Sequence, residues 1–179
     1  MIFDEDGKRV GELKMILSRL LFAIMLFDDD GVSVRCMNTV PSVRVDNIKS
    51  EQEVEALVSN ISFQGTTPLG TELKNKILDP LVLRKAKSPS ERLEKPVLII
   101  TITDGQPVEP GGKQRAVHDA VRYASSELSR TKYGPGAVSF QFAQVGSDEI
   151  ATAFLQRLDK DPDIGHLIDC TSGKFSPSE

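Results

Sequence analysis

The sequence predicts a doubly wound α/β fold, a mostly parallel sheet with helices on both faces. Three observations predict it. Residues 96–103 form a near-continuous apolar run, of the kind that parallel strands buried on both faces show. Between this run and the next strand-like segment, at 137–145, lies a stretch with helical spacing. Glycine and proline clusters, such as Gly134-Pro135-Gly136 and the lone Gly146, punctuate the changes of period.

The elements follow in order. Residues 10–27 predict a helix, because Leu13, Ile16, Leu17, Leu20, Ile24 and Phe27 recur at steps of three and four and make one apolar stripe. Asp28-Asp29-Asp30-Gly31 is a turn, and the alternation and β-branching of 32–37 predict a strand. A loop with a short edge strand at 43–45 leads to Ser50-Glu51-Gln52-Glu53, a capping box that opens a helix running to about 60. A helix is expected over 69–78. Pro80, which has no N–H, should then kink it or open another, and Ser88-Pro89-Ser90 should end the region. After the strand at 96–103 come an irregular loop over 108–112, a helix over 114–129, a strand over 137–145, a helix over 148–158 and a short strand at 166–170. A single domain over 1–172 is expected, with a small, polar, flexible tail at 173–179.

Bulk properties narrow the function. At 179 residues, 39% hydrophobic and 27% charged, the chain can bury a core. Its net charge of −4 and the absence of a long basic run argue against nucleic acid. The densest basic stretch, Arg84-Lys85-Ala86-Lys87, reads as a solvated helix end. No apolar segment approaches the roughly 20 residues that span a bilayer, and the start has the wrong charge order for a secretory signal, so a cytoplasmic protein is expected. Cys36 and Cys170 lie in apolar runs and read as buried free thiols.

Two loops carry the chemistry. Thr67 lies in Gly65-Thr66-Thr67-Pro68-Leu69-Gly70, which opens a helix, and Asp104 follows the apolar strand in Thr101-Ile102-Thr103-Asp104-Gly105. A hydroxyl and a carboxylate on strand-to-helix loops at one sheet edge suit a hard cation such as Mg2+. In open α/β sheets ligands bind outside the carboxyl ends of the strands. Taken singly, each residue has a plainer role: Asp104 as a turn former, Thr67 as a helix cap. A phosphate loop is disfavoured, because position 71 is Thr where that loop requires Lys and Pro68 removes a donor. Asp28-Asp29-Asp30 lacks the spacing of a calcium loop. His118 and His166 support no catalytic order and read as a polar helix face and a strand start.

The two loops resemble those of the von Willebrand factor type A domain and its metal-ion-dependent adhesion site. Gly-x-Thr-x-x-Gly matches residues 65–70, and apolar strand-Thr-Asp-Gly matches 100–105. The resemblance, covering about 1–172, implies a Rossmann-like sheet and assigns Thr67 and Asp104 as metal ligands. The family's first strand and its Asp-x-Ser-x-Ser motif have no counterpart; the chain resembles the family from that motif's final Met onward. That strand would lie between 32–37 and 97–103, so either those two strands close up on each other, or another chain supplies it, or the natural protein is longer, which is the expectation. Asp4, Glu5 and Asp6 are possible substitute ligands near the metal edge, although acids there also suit a helix start.

The resulting expectation is a non-enzymatic protein-binding module. Its metal-edge loops hold Mg2+ (or Mn2+ or Ca2+) and engage an acidic side chain of a partner protein, with the ion held weakly by this chain on its own. Two alternatives are a Mg2+-dependent phosphohydrolase-like enzyme using Asp104, which lacks a second carboxylate because 102 is Ile and 106 is Gln, and a metal-free scaffold.

Overall fold

Three parallel strands form a sheet in chain order: β1 (Val97–Thr103), β2 (Val138–Gln144) and β3 (Ile168–Thr171). The computed structural model describes residues 8–26, 29–40, 43, 45–62 and 65–171. These divide into two compact units, 1–65 and 66–179.

In the second unit β1 and β2 pair from Val97↔Val138 to Thr103↔Gln144, and β2 and β3 from Phe140↔Ile168 to Ala143↔Thr171. This register puts Ile99, Thr103, Val138, Phe140, Phe142, Gln144 and Ile168 on one face, all buried. Leu98, Ile100, Ile102, Ser139, Gln141 and Asp169 alternate onto the other. Leu98 there is 57% exposed and none of the six is buried. Among the described residues the sheet is therefore deeply buried on one face and only partly buried on the other, an α/β arrangement. The continuous apolar run 96–103 suggested burial on both faces because β1 carries aliphatic residues on its half-exposed face too.

Among the described residues this unit also has three longer helices. A continuous helix, α3, is made of Leu69–Glu72, the π-helical Leu73–Leu83 and Arg84–Lys87. Pro80 lies inside it and neither ends it nor opens a new helix. In the wide turns the Arg84 N–H reaches the Asp79 carbonyl, five residues back. α4 (Ala116–Ser129) buries Val117, Ala120, Val121, Ala124 and Leu128, and α5 (Glu149–Asp159) buries Ala151, Leu155 and Leu158. Asp148 caps α5, its side chain accepting from Ala151 N at 2.7 Å. The buried Gln144 is satisfied at both ends: its Nε2 donates to the Asp148 carbonyl (2.8 Å) and its Oε1 accepts from Thr152 (2.9 Å).

In the first unit, α1 (Lys8–Met25) and α2 (Glu51–Ser59) enclose a cluster of Leu21, Ile48, Val54, Leu57 and Val58, with Leu17, Val32, Val34 and Ile61 packed against it. The capping box forms as expected: Glu53 N donates to Ser50 Oγ, and Ser50 N donates to the Glu53 carboxylate. The expected strand at 32–37 is reduced to a short antiparallel contact. Val32 and Ile48 exchange both backbone bonds at 2.9 Å, and Val34 N donates to the Val45 carbonyl. Gly31, at φ +79°, makes the approach possible, since a Cβ there would lie 2.6 Å from the Ile48 oxygen.

Candidate functional site

β1 ends at Thr103, whose hydroxyl donates to the Gly105 carbonyl at 2.9 Å and closes a tight turn around Asp104. The chain then runs through 106–115 to α4, and this loop meets the beginning of α3. Val108 N donates to the Thr67 carbonyl at 2.8 Å, and Leu69 N donates to the same oxygen at 2.8 Å. The loop of Thr67 and the loop of Asp104 are thus joined by a backbone bond. Both side chains are half-buried.

A residue that the sequence reading missed locks this junction. Glu109 is 8% exposed, and its carboxylate accepts from Gly70 N (2.5 Å), Thr71 N (3.3 Å) and Thr71 Oγ1 (2.7 Å). Pro68, which precedes α3, offers no side-chain cap, so the first N–H groups of the helix take their acceptor from 39 residues away. An anion at a helix start is favoured by the dipole as well as by the hydrogen bonds. The backbone amides of Gly70 and Thr71, which a phosphate loop would offer to a ligand, are occupied by the protein's own carboxylate. No local pattern signals this role, because an acid in a loop after a strand is common.

Gly70 makes the junction tight. A Cβ on it would sit 2.3 Å from the Ala116 carbonyl carbon and 2.4 Å from Val117 N, both backbone atoms of α4. The glycines of 65–70 therefore do different work: Gly65 adopts φ +100°, and Gly70 permits helix-to-helix contact.

Thr67 and Asp104 match Mg2+ in kind, since both offer hard oxygen ligands, but not in number. Among the described residues Asp104 joins no group of three His, Cys, Asp or Glu side chains able to share an ion. Asp4, Glu5 and Asp6 lie outside the described residues, as do Asp28 and the 173–179 tail.

Away from these loops, a charged group ties α3 to α4. On α3, Lys74 donates to Asp79 Oδ2 at 2.5 Å and Tyr123 of α4 donates to Asp79 Oδ1 at 2.9 Å, with the Lys74 ammonium 4.6 Å from the Tyr123 ring centre. Partial burial alone would raise the Asp79 pKa. The bonds from Lys74 and Tyr123 and the charges of Lys74 and Lys87 outweigh it and hold the carboxyl below its ordinary value. The same bond raises the Lys74 ammonium. Cys36 and Cys170 are half-buried rather than fully buried, and desolvation pushes the Cys170 thiol up to about 12. His166 is exposed in a turn before β3. His118 corrects the sequence expectation: it is only 6% exposed, on the inner side of α4 rather than on a polar face.

No protein-family model, curated protein or solved structure matches the chain. Among the described residues no helix is long and apolar enough to cross a membrane. The fold defines an α/β protein with a small, open, parallel sheet.

Proposed function

We propose that this chain is a non-enzymatic protein-binding module of the von Willebrand factor A type. Its edge loops hold Mg2+ through Thr67 and Asp104 and present the ion to an acidic side chain of a partner protein. The observation that carries this reading is the Val108–Thr67 backbone bond, which joins the two oxygen-bearing loops just past the carboxyl end of β1. Glu109, by occupying the start of α3, leaves the Thr67 hydroxyl rather than the helix amides as the loop's offer to a ligand. An enzymatic role is disfavoured because Ile102 and Gln106 flank Asp104 where a phosphohydrolase needs a second carboxylate. The reading assigns the protein to the cytoplasm, where thiols such as Cys36 and Cys170 stay reduced.

Two protein ligands hold a hard cation weakly, so the partner's carboxylate contributes much of the affinity. The test is an amide NMR titration with Mn2+, a paramagnetic stand-in for Mg2+. Resonances of 66–68 and 104–106 should broaden first, excess Mg2+ should reverse the effect, and Thr67→Ala or Asp104→Ala should abolish it while preserving chemical-shift dispersion. Broadening that begins elsewhere and ignores both substitutions would remove the basis for the reading.

A further inference from the structure

At the first turn of α4 and in the turn after α5, three side chains outside the Thr67 edge converge. His118 Nε2 lies 3.6 Å from Asp161 Oδ1 and 3.5 Å from Asp163 Oδ2, and one ligand atom from each residue falls within 4.8 Å of the other two. We infer that His118, Asp161 and Asp163 form a binding site for a borderline first-row divalent cation, Zn2+ in the first instance, from which the Arg115 guanidinium is displaced.

The distances support a shared ion. Tetrahedral zinc with bonds of about 2.0–2.2 Å has ligand-to-ligand edges of roughly 3.3–3.6 Å. Both histidine-to-carboxylate separations fall at the upper end of that range, so those two edges need little movement. The third edge, between the two carboxylates, lies within 4.8 Å.

The histidine is independently set up as a ligand. Arg115 Nη2 lies 2.6 Å from His118 Nε2, and a guanidinium can only donate, so Nε2 presents a lone pair. Nδ1 then carries the proton and donates to Asp119 Oδ1 at 3.2 Å. A carboxylate on one ring nitrogen, with the other facing further carboxylates, is the arrangement that orients and strengthens metal-bound histidines. Asp161 is likewise held by its neighbours, accepting from Asp163 N at 2.9 Å.

Arg115 stands where a cation would. Besides its bond to His118 it reaches Asp161 Oδ2 at 3.6 Å, and Arg122 lies 3.8 Å from Asp163. The Arg115 side chain is 63% exposed, so it can swing into solvent when an ion arrives. A hard ion such as Mg2+ would gain little from the imidazole, whereas Zn2+ favours a mixed nitrogen and oxygen set. The remaining coordination positions face water or a partner's ligand.

The test uses the full 179-residue chain without an affinity tag, titrated calorimetrically with Zn2+ and spectroscopically with Co2+ as its coloured substitute. One equivalent should bind, with visible cobalt bands and no thiolate charge-transfer band, which separates the site from Cys36 and Cys170. Asp163→Asn, at a half-exposed position, should fold normally by circular dichroism and bind at least about tenfold more weakly. Arg115→Gln should bind several-fold more tightly, because it removes the competing charge. Asp163→Asn should leave the Mn2+ broadening at 66–68 and 104–106 unaffected, so this site and the Thr67 edge fail or succeed separately. A purely structural ion-pair network predicts the opposite for Arg115→Gln, lower stability with no gain in affinity. That result, absence of Zn2+ binding, or binding insensitive to Asp163→Asn would overturn the inference.

Discussion

The helices α2 and α3 begin in contrasting ways. α2 is capped by its own sequence: Ser50 and Glu53, three residues apart, each satisfy the other's backbone N–H. α3 has Pro68 before it and no local side-chain cap, and draws its acceptor from Glu109 on another loop. Both solutions address the same deficit, the unpaired amides of a first turn. The local cap adds stability to one helix and little else. The distant cap fastens α3 to the loop that follows β1, so the same bonds that end an electrostatic deficit also fix where Thr67 lies relative to the Asp104 loop.

Breaking the distant junction should cost most. Gly70→Ala drives a methyl into the α4 backbone, which cannot rotate aside as a side chain would, and about 3 kcal/mol or more of stability should be lost in denaturant unfolding. A loss under 1 kcal/mol would mean that α3 and α4 separate freely. Glu109→Ala leaves two amides and a hydroxyl without their acceptor at a buried position and should cost about 2 kcal/mol. Hydrogen exchange at Gly70 and Thr71 should accelerate in that variant, while Glu53 at the other helix start stays unchanged. Ser50→Ala removes the local cap and should cost about 1 kcal/mol, with faster exchange confined to the first turn of α2. Spread of that effect to Gly70 or Thr71 would erase the contrast between the two caps.

The smallest effect concerns pH. Asp79 has a folded-state pKa below its unfolded one, so its contribution is present above the ordinary carboxylate value and is lost as pH falls through the lower folded value. Stability should therefore decline below about pH 4 more steeply in the native chain than in Asp79→Asn. The difference should be small, since both Asp79 and Lys74 are more than a third exposed. Equal acid slopes for the two proteins would show that the Lys74–Asp79–Tyr123 group contributes nothing to folding.

How far the sequence reached depended on the range of the interaction. The stripe of α1, the capping box of α2, the strands around 97–103 and 138–144 and the helices 116–129 and 149–159 were all legible within a few residues, because each is set by spacing along one segment. The 32–37 segment was not: its alternation is real, but its backbone bonds to 45–48 run from Val32 and Val34, and pairing needs a partner strand that alternation cannot name. At Pro80 the structure shows that no second helix opens, and whether the axis bends there is not a matter of local sequence alone. A missing N–H breaks an α-helical ladder, yet the wider turns of 73–83 absorb it, and they do so while Asp79 is held by Lys74 and Tyr123.

For the candidate site, the sequence by itself determined the donors: a threonine in a glycine-bounded loop and an aspartate at the end of an apolar strand. Their chemistry, hard oxygen at a sheet edge, follows from residue type alone. Only the tertiary structure decided what surrounds them. Glu109 became a cap, His118 a buried imidazole beside Asp161 and Asp163, and Gly70 a point of contact with α4. Each of these depends on segments 39 or more residues apart meeting at a few ångströms. Local propensity carries no information about such meetings, because they are fixed by the packing of helices against one face of the sheet.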